Sequence, residues 1–264
     1  MQKENGLSLA QTLECGQCFR WERQEDGSYA GIAGGRWLRV SEDSLADVLR
    51  DKFWAHYFDM ELDYDAVRRS LSRMDPVLAE AACYAPGIRI LNQDPWETLC
   101  SFILSQANNI PRIRGLVRRI CLLCGPAIGG GHRGFPSAAA VSGLSEKDLR
   151  AAGCGFRAAY VLDAARKTAS GEIDFACLRE MPLEQAREKL TSVAGVGPKV
   201  ADCTLLYGLH RLEAFPMDVW MKRAMKSLFP GRTPADFGRY AGVAQQYIFH
   251  YSRNHPELFR EKVH

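Results

Sequence analysis

The stretch Leu190-Thr-Ser-Val-Ala-Gly-Val-Gly-Pro-Lys199-Val-Ala-Asp202 decides the reading of this chain. Its pattern predicts one helix ending near Leu190, a tight turn at Gly195-Val196-Gly197, and a second helix opening at Pro198. Two glycines let a backbone turn sharply and approach another molecule closely. The loop amides and the positive end of the second helix together suit a phosphate. A bare Gly-Val-Gly is more simply a turn inside a core. The full spacing, with apolar residues on both sides, points instead to a hairpin of helices that grips a DNA backbone without reading its sequence.

Lys199 sits in the first turn of the second helix. A cation there is opposed by the helix dipole, and partial burial opposes it further, which favours the neutral amine that acts as a nucleophile. An exposed lysine holding a phosphate is an equally good account of that position alone. Asp218 follows nineteen positions on, in Pro216-Met217-Asp218-Val219, where it reads as a helix N-cap. Capping amides would keep its carboxylate ionised, and a fixed anion beside a sugar that develops oxocarbenium character assists glycosidic cleavage.

Outward from this motif, the first forty or so residues read as β. Cys18–Arg23, Tyr29–Ala33 and Arg36–Val40 form an expected antiparallel meander, turned at Asp26-Gly27 and Gly34-Gly35. Beyond Ser44 the pattern is helical. Asp94-Pro95-Trp96-Glu97 starts one helix with a cap, a proline and an acid. Further helices are expected over 113–124, 145–152, 157–169, 183–191, 198–209, 219–228 and 237–252, with a mobile Gly/Pro-rich loop at 125–136. The fold class is α+β, mostly helical, with a β-rich domain over 1–85 and a helical body over 86–264.

Composition is ordinary for a globular chain, at 47% hydrophobic and 25% charged residues. A net charge of +3 permits a local basic face without announcing one. No apolar run approaches the ~20 residues that span a bilayer, so a soluble, intracellular protein is expected, and a monomer because no long apolar seam is left over. Cys15/Cys18 and Cys121/Cys124 have zinc-like spacing, yet the second pair continues an apolar helical stripe. Buried free thiols are the better reading of both.

Several segments resemble the 8-oxoguanine DNA glycosylase family of the helix-hairpin-helix superfamily, in a bacterial-type form. They are Gly195-Val-Gly-Pro-Lys199 with Asp218, Gly16-Gln-Cys-Phe-Arg-Trp21, Gln93-Asp-Pro95, Ser101-Phe-Ile103, Asn108-Asn-Ile110, Phe156-Arg-Ala158 and Ala201-Asp-Cys203. The likeness runs from about residue 13 to about 252. It implies a bifunctional glycosylase/lyase that excises 8-oxoguanine, and formamidopyrimidine, from double-stranded DNA. Lys199 would attack the sugar C1′ and hold it as a Schiff base, with Asp218 stabilising the reaction. The Gly16 carbonyl would accept the N7 hydrogen of the lesion. Cys203 and Phe249 would sandwich the flipped base beside Met217, and Gln245 would read its Watson–Crick edge. Arg112, Arg157 and Asn108 would face the opposite base, Phe156 would wedge into the stack, and Gly195, Val196 and Gly197 would hold the backbone.

Helix spacing agrees in part, since Lys199 and Cys203, like Gln245 and Phe249, are four apart and share a face. Taken singly, Cys203 and Phe249 read as core and Gln245 as a solvated residue. The resemblance implies no cofactor and leaves the hairpin loop as a candidate seat for a monovalent cation. No cysteine follows Cys203, so an iron–sulfur cluster after Asp218 is excluded. Three positions depart from familiar animal members: Ala107 replaces an Asn, Phe156 a Tyr, and Trp220 a His. Ala107 leaves discrimination of the opposite base as the open point. Two rival readings remain, a glycosylase for another oxidised base and a DNA-binding module without catalysis.

Overall fold

The computed structural model describes residues 6–259. A short helix α1 (Leu9–Leu13), capped by Ser8, precedes a three-stranded antiparallel meander of β1 (Trp21–Arg23), β2 (Tyr29–Ala33) and β3 (Arg36–Val40). Trp21 pairs across the sheet with Gly31, where a Cβ would stand 2.3 Å from the indole. That bare backbone lets the indole lie flat on the sheet, against Trp54, Tyr57 and Phe58, with its Nε1 donating to the Tyr57 hydroxyl at 2.8 Å. The first strand is shorter than its alternation predicts. Gln17 to Arg20 are drawn off by other partners: Gln17 Oε1 accepts from the Leu91 amide, Gln17 Nε2 donates to the Arg89 carbonyl, and Phe19 turns into the helical core.

Helices α2 (Leu45–Val48) and α3 (Lys52–Tyr57) close the sheet's apolar cluster. α4 (Tyr64–Ser72) and α5 (Pro76–Tyr84) already belong to the core of the helical body. That body continues with α6 (Pro95–Leu104), α7 (Ile110–Cys124), α8 (Ala138–Ser142), α9 (Glu146–Ala151), α10 (Arg157–Ala169), α11 (Phe175–Glu180), α12 (Leu183–Thr191), α13 (Pro198–Leu209) and α14 (Val219–Leu228). The expected helix over 237–252 is two pieces. A 3-10 segment at Pro234–Tyr240 breaks at Gly238, whose φ of 64° is non-helical, and α15 (Ala241–Asn254) follows.

At the centre, α13 is buried from Val200 to Leu209 and packs along α6. The axes come close because Gly208 has no side chain: a Cβ there would stand 2.8 Å from the Pro95 Cα. Each fully buried leucine of this helix contributes about 1.5–3 kcal/mol. The loop 125–136, expected to be mobile, is tied down instead. The Gly134 amide donates to the Pro126 carbonyl at 2.9 Å, the Arg133 carbonyl accepts from Arg20, and Trp96 Nε1 donates to the Pro136 carbonyl at 2.9 Å. The nine cysteines are all unpaired, and Cys15, Cys18 and Cys121 are buried, with Cys124 half-buried.

Glu97, in the first turn of α6, faces Arg20 at 3.5 Å. Burial pushes its carboxyl from an ordinary 4.5 up to about 7, with the Arg20 guanidinium pulling it down. Between those values the folded protein keeps a proton that the unfolded chain has lost, so this group's contribution to stability declines as pH rises through the window. The melting temperature of Glu97→Gln relative to wild type is expected to climb between about pH 5 and about pH 8. A difference that does not vary with pH would show the carboxyl titrating normally.

Candidate active site

Lys199 is half-buried in the first turn of α13. Its Nζ lies 3.4 Å from the Ser105 hydroxyl and 4.8 Å from the centre of the Phe102 ring. Both neighbours come from the end of α6, ninety-four residues earlier in the case of Ser105. Among the described residues no carboxylate stands within ion-pair distance of this amine. One turn on, Cys203 is 2% exposed. Burial pushes its thiol up to about 11, while Lys199 pulls it down and the Asp218 charge raises it, so lysine, cysteine and aspartate share one neighbourhood. A thiol held protonated presents a polarisable, nearly apolar surface and is itself a poor nucleophile.

Asp218 caps α14, its Oδ1 accepting from the Met221 amide at 2.7 Å. Half-buried Met217 packs beside it against the helical core. Trp220, where the resemblance has a His, is turned onto α15: its Nε1 donates to the Ser252 hydroxyl at 2.9 Å and its ring packs edge-to-face with Phe259.

The opposite wall comes from both ends of the chain. Gly16 has a φ of +89°, and a Cβ there would lie 4.0 Å from both the Phe249 ring and the Ile110 side chain. Gln245 is not the solvated residue its letter suggests but only 4% exposed, with Oε1 3.4 Å from the Tyr207 hydroxyl. Three residues invisible as functional in the sequence assemble this wall. Gln246, 1% exposed, donates from Nε2 to the Cys15 carbonyl at 3.2 Å and accepts from the Tyr207 hydroxyl at 2.5 Å. Burial holds the Tyr207 phenol protonated as that donor. Gln17 ties the same amino-terminal turn to residues 89–93 through its side chain and carbonyl. Only the adjacency of two glutamines in α15 hinted at a polar seam.

The hairpin is seated on α10. Asp163 Oδ2 accepts from the Ala194 amide at 2.8 Å, Lys167 Nζ donates to the Ser192 carbonyl at 2.5 Å, and Val196 is buried. Gly195, at φ +73°, leans so close to Tyr160 that a Cβ would stand 2.3 Å from its ring. Gly195 and Gly197 are exposed, and their amides meet no acceptor among the described residues.

A separate group lies at the start of α7 and α10. Phe156 is 50% exposed, stacked by the Arg157 guanidinium at 4.3 Å. Arg157 itself is buried and donates to the carbonyls of Gln106 and Ala107, the latter at 3.0 Å. It thus fixes the turn carrying Ala107, which is exposed in a left-handed conformation with φ +47°. Asn108 Nδ2 donates to the Leu104 carbonyl at 3.1 Å. Arg112 is exposed and near enough to lower the pKa of Arg157, behind the larger effect of desolvation.

Comparison with known proteins gives this assembly its relatives. Residues 100–236 match the family model of the HhH-GPD superfamily of base excision DNA repair proteins, the class that the hairpin and the helical body define. Residues 1–99 match the model of the 8-oxoguanine DNA glycosylase N-terminal domain. The chain belongs to the 8-oxoguanine DNA glycosylase family. It is 31% identical to the N-glycosylase/DNA lyase OGG1 of Arabidopsis thaliana over 92% of this chain and 76% of that protein. The structure of MBOgg1 with a low-affinity DNA ligand superposes with a TM-score of 0.84 and 39% identity, over 96% of this chain and 94% of that one. The Clostridium acetobutylicum 8-oxoguanine glycosylase/lyase, solved on double-stranded DNA with cytosine opposite 8-oxoguanine, gives a TM-score of 0.84 and 34% identity, over 96% and 93%.

Gln246→Ala strands a buried carbonyl and a buried phenol at once. It is expected to cost about 1–3 kcal/mol in chemical denaturation. Base excision should fall more than nicking of an abasic duplex, because Gly16 and Phe249 shift while Lys199 does not. Equal losses in both assays would show that the bridge serves stability alone.

Proposed function

We propose that this protein excises 8-oxoguanine, and its ring-opened formamidopyrimidine form, from double-stranded DNA and then nicks the abasic strand. The observation that carries this reading is the half-buried Lys199 amine in the first turn after the hairpin, beside the Ser105 hydroxyl and one turn from buried Cys203, with no carboxylate within ion-pair distance among the described residues. Such a reaction needs a flipped base, because the sugar C1′ cannot be reached inside a duplex. The Lys199 Nζ attacks C1′ with its lone pair. The C1′–N9 bond breaks with its electrons going to the base, which leaves after taking up a proton. Loss of a proton from nitrogen and opening of the sugar give an iminium between Nζ and C1′. Removal of a C2′ proton then expels the 3′ phosphate with the C3′–O electrons, and water releases the lysine. The Asp218 carboxylate offsets the positive charge that builds on the sugar.

In this reading the Gly16 carbonyl accepts the N7 hydrogen that guanine lacks, and Cys203, Phe249 and Met217 enclose the base. Gln245 hydrogen-bonds the base edge, oriented by Tyr207. Gly195, Val196 and Gly197 present the hairpin amides to a phosphate. Phe156 fills the gap in the stack, with Arg112, Arg157 and Asn108 toward the opposite base. In this reading the chemistry needs only groups of the chain and water, and no cofactor takes part.

Borohydride trapping tests the assignment. Wild-type protein is expected to give a covalent adduct on an 8-oxoguanine duplex, and Lys199→Gln none. An adduct on thymine glycol but not on 8-oxoguanine would transfer the substrate to another oxidised base, and none on any duplex would overturn the lyase.

Ala107 bears on the opposite strand. Its left-handed backbone is one that Asn tolerates well, and Asn adds an amide that can pair with a base edge. Wild type is expected to excise with little preference for cytosine over adenine opposite the lesion. Ala107→Asn should raise that preference about tenfold without loss of melting temperature. Steep discrimination by the wild type would refute the role given to this position.

A further inference from the structure

Between the outer face of the sheet and α7 runs a cleft of about 450 Å³ lined by neither Lys199, Asp218, Cys203, Gln245 nor Phe249. Its sheet wall carries Trp37, Glu22 and Arg20, its helix wall Arg114, Arg118 and Leu122, and its far end His132 and Arg133 from the tied-down loop. Four guanidiniums therefore face one carboxylate. Arg20 is already paired with Glu97, and Arg133 donates to the Gly125 carbonyl at 3.1 Å. Arg114 and Arg118 are one helical turn apart and have no acidic partner among the described residues, and the buried Arg114 Nε has no acceptor.

The rim is as unusual as the charge. Trp37 is 47% exposed and stacks on His132 with centroids 5.3 Å apart and planes 16° apart. Leu122 is 57% exposed on the same cleft. A half-exposed indole already stacked on an imidazole is a stacking platform, and it lines the same cleft as two guanidiniums without acidic partners among the described residues. Stacking and charge of this kind recognise a nucleobase that carries a phosphate. The volume lies within the range of small-ligand clefts. We infer that this cleft is a second nucleotide-binding site, with the base on Trp37 and the phosphate on Arg114 and Arg118.

Its place in the fold fits a protein that handles DNA. Arg114 is one turn along α7 from Ile110, which faces Gly16, and Arg20 is four residues beyond Gly16. The cleft therefore lies behind the amino-terminal wall of the base pocket. One ligand chemistry then has two sources, a free nucleotide or a nucleotide of the strand flanking the lesion.

Calorimetric titration of the full chain with dGMP and with deoxyguanosine tests the site. dGMP is expected to bind at least about tenfold more tightly than the unphosphorylated nucleoside. The surface substitutions Trp37→Ala and Arg118→Ala should each weaken dGMP about tenfold, while melting temperature stays at the wild-type value. Phe249→Ala should leave dGMP affinity intact, which separates this site from the base pocket. Absence of dGMP binding at millimolar concentration overturns the proposal, as does binding lost in Phe249→Ala but kept in Arg118→Ala. Lesion duplexes with short and long flanks identify the source. A gain in affinity with the longer flank that Arg118→Ala cancels assigns the flanking strand, and equal affinities assign the free nucleotide.

Discussion

Gln246 ties three segments of the chain together through buried hydrogen bonds. Its amide nitrogen holds the Cys15 carbonyl and its amide oxygen holds the Tyr207 hydroxyl, all three groups being buried. The first segment carries Gly16, the second is the helix of Lys199 and Cys203, and the third carries Gln245 and Phe249. Residues 231 positions apart are thereby fixed at hydrogen-bond distance. A buried amide has little tolerance for misplacement, since each unmet group costs about 1–3 kcal/mol. The same bond that completes the core therefore sets the shape of the wall that carries Gly16, Gln245 and Phe249.

A second constraint acts from the opposite side of α13. Gly208 lets this helix lie against the start of α6, and the other end of α6 delivers Phe102 and Ser105 to the Lys199 amine. Asp163, Lys167 and Tyr160 of α10 hold the hairpin that precedes α13. The Lys199 amine is thus placed by rigid helices and not by a loop, which suits the covalent role proposed for it. Cys203 joins the site without competing for it, because burial keeps its sulfur protonated.

Some of this was plain from residue order. The Gly-Val-Gly-Pro-Lys run announces a hairpin because glycine backbone freedom and proline at a helix start are local effects. Asp218 as a cap, the meander and most helix bounds are local for the same reason. What misled the reading was non-local. The strand predicted from Cys18 stops short because Gln17 and Phe19 find partners far away, and the 125–136 loop is held by Arg20 and Trp96 despite its glycines. Gln245 looked solvated because one polar letter cannot show that Tyr207 waits on another helix.

The sequence by itself determined the hairpin, the place of Lys199 in the first turn after it, the capping role of Asp218 on α14, and the helical class of the body. Each follows from spacing along one or two turns of chain, where backbone sterics and capping operate. The tertiary structure alone decided that Ser105 and Phe102 flank the lysine, that Gln246 welds both ends of the chain into one wall, and that a basic cleft opens behind it. These depend on which buried polar groups find partners and how closely helices approach. Such terms are settled only when segments distant in sequence share one core.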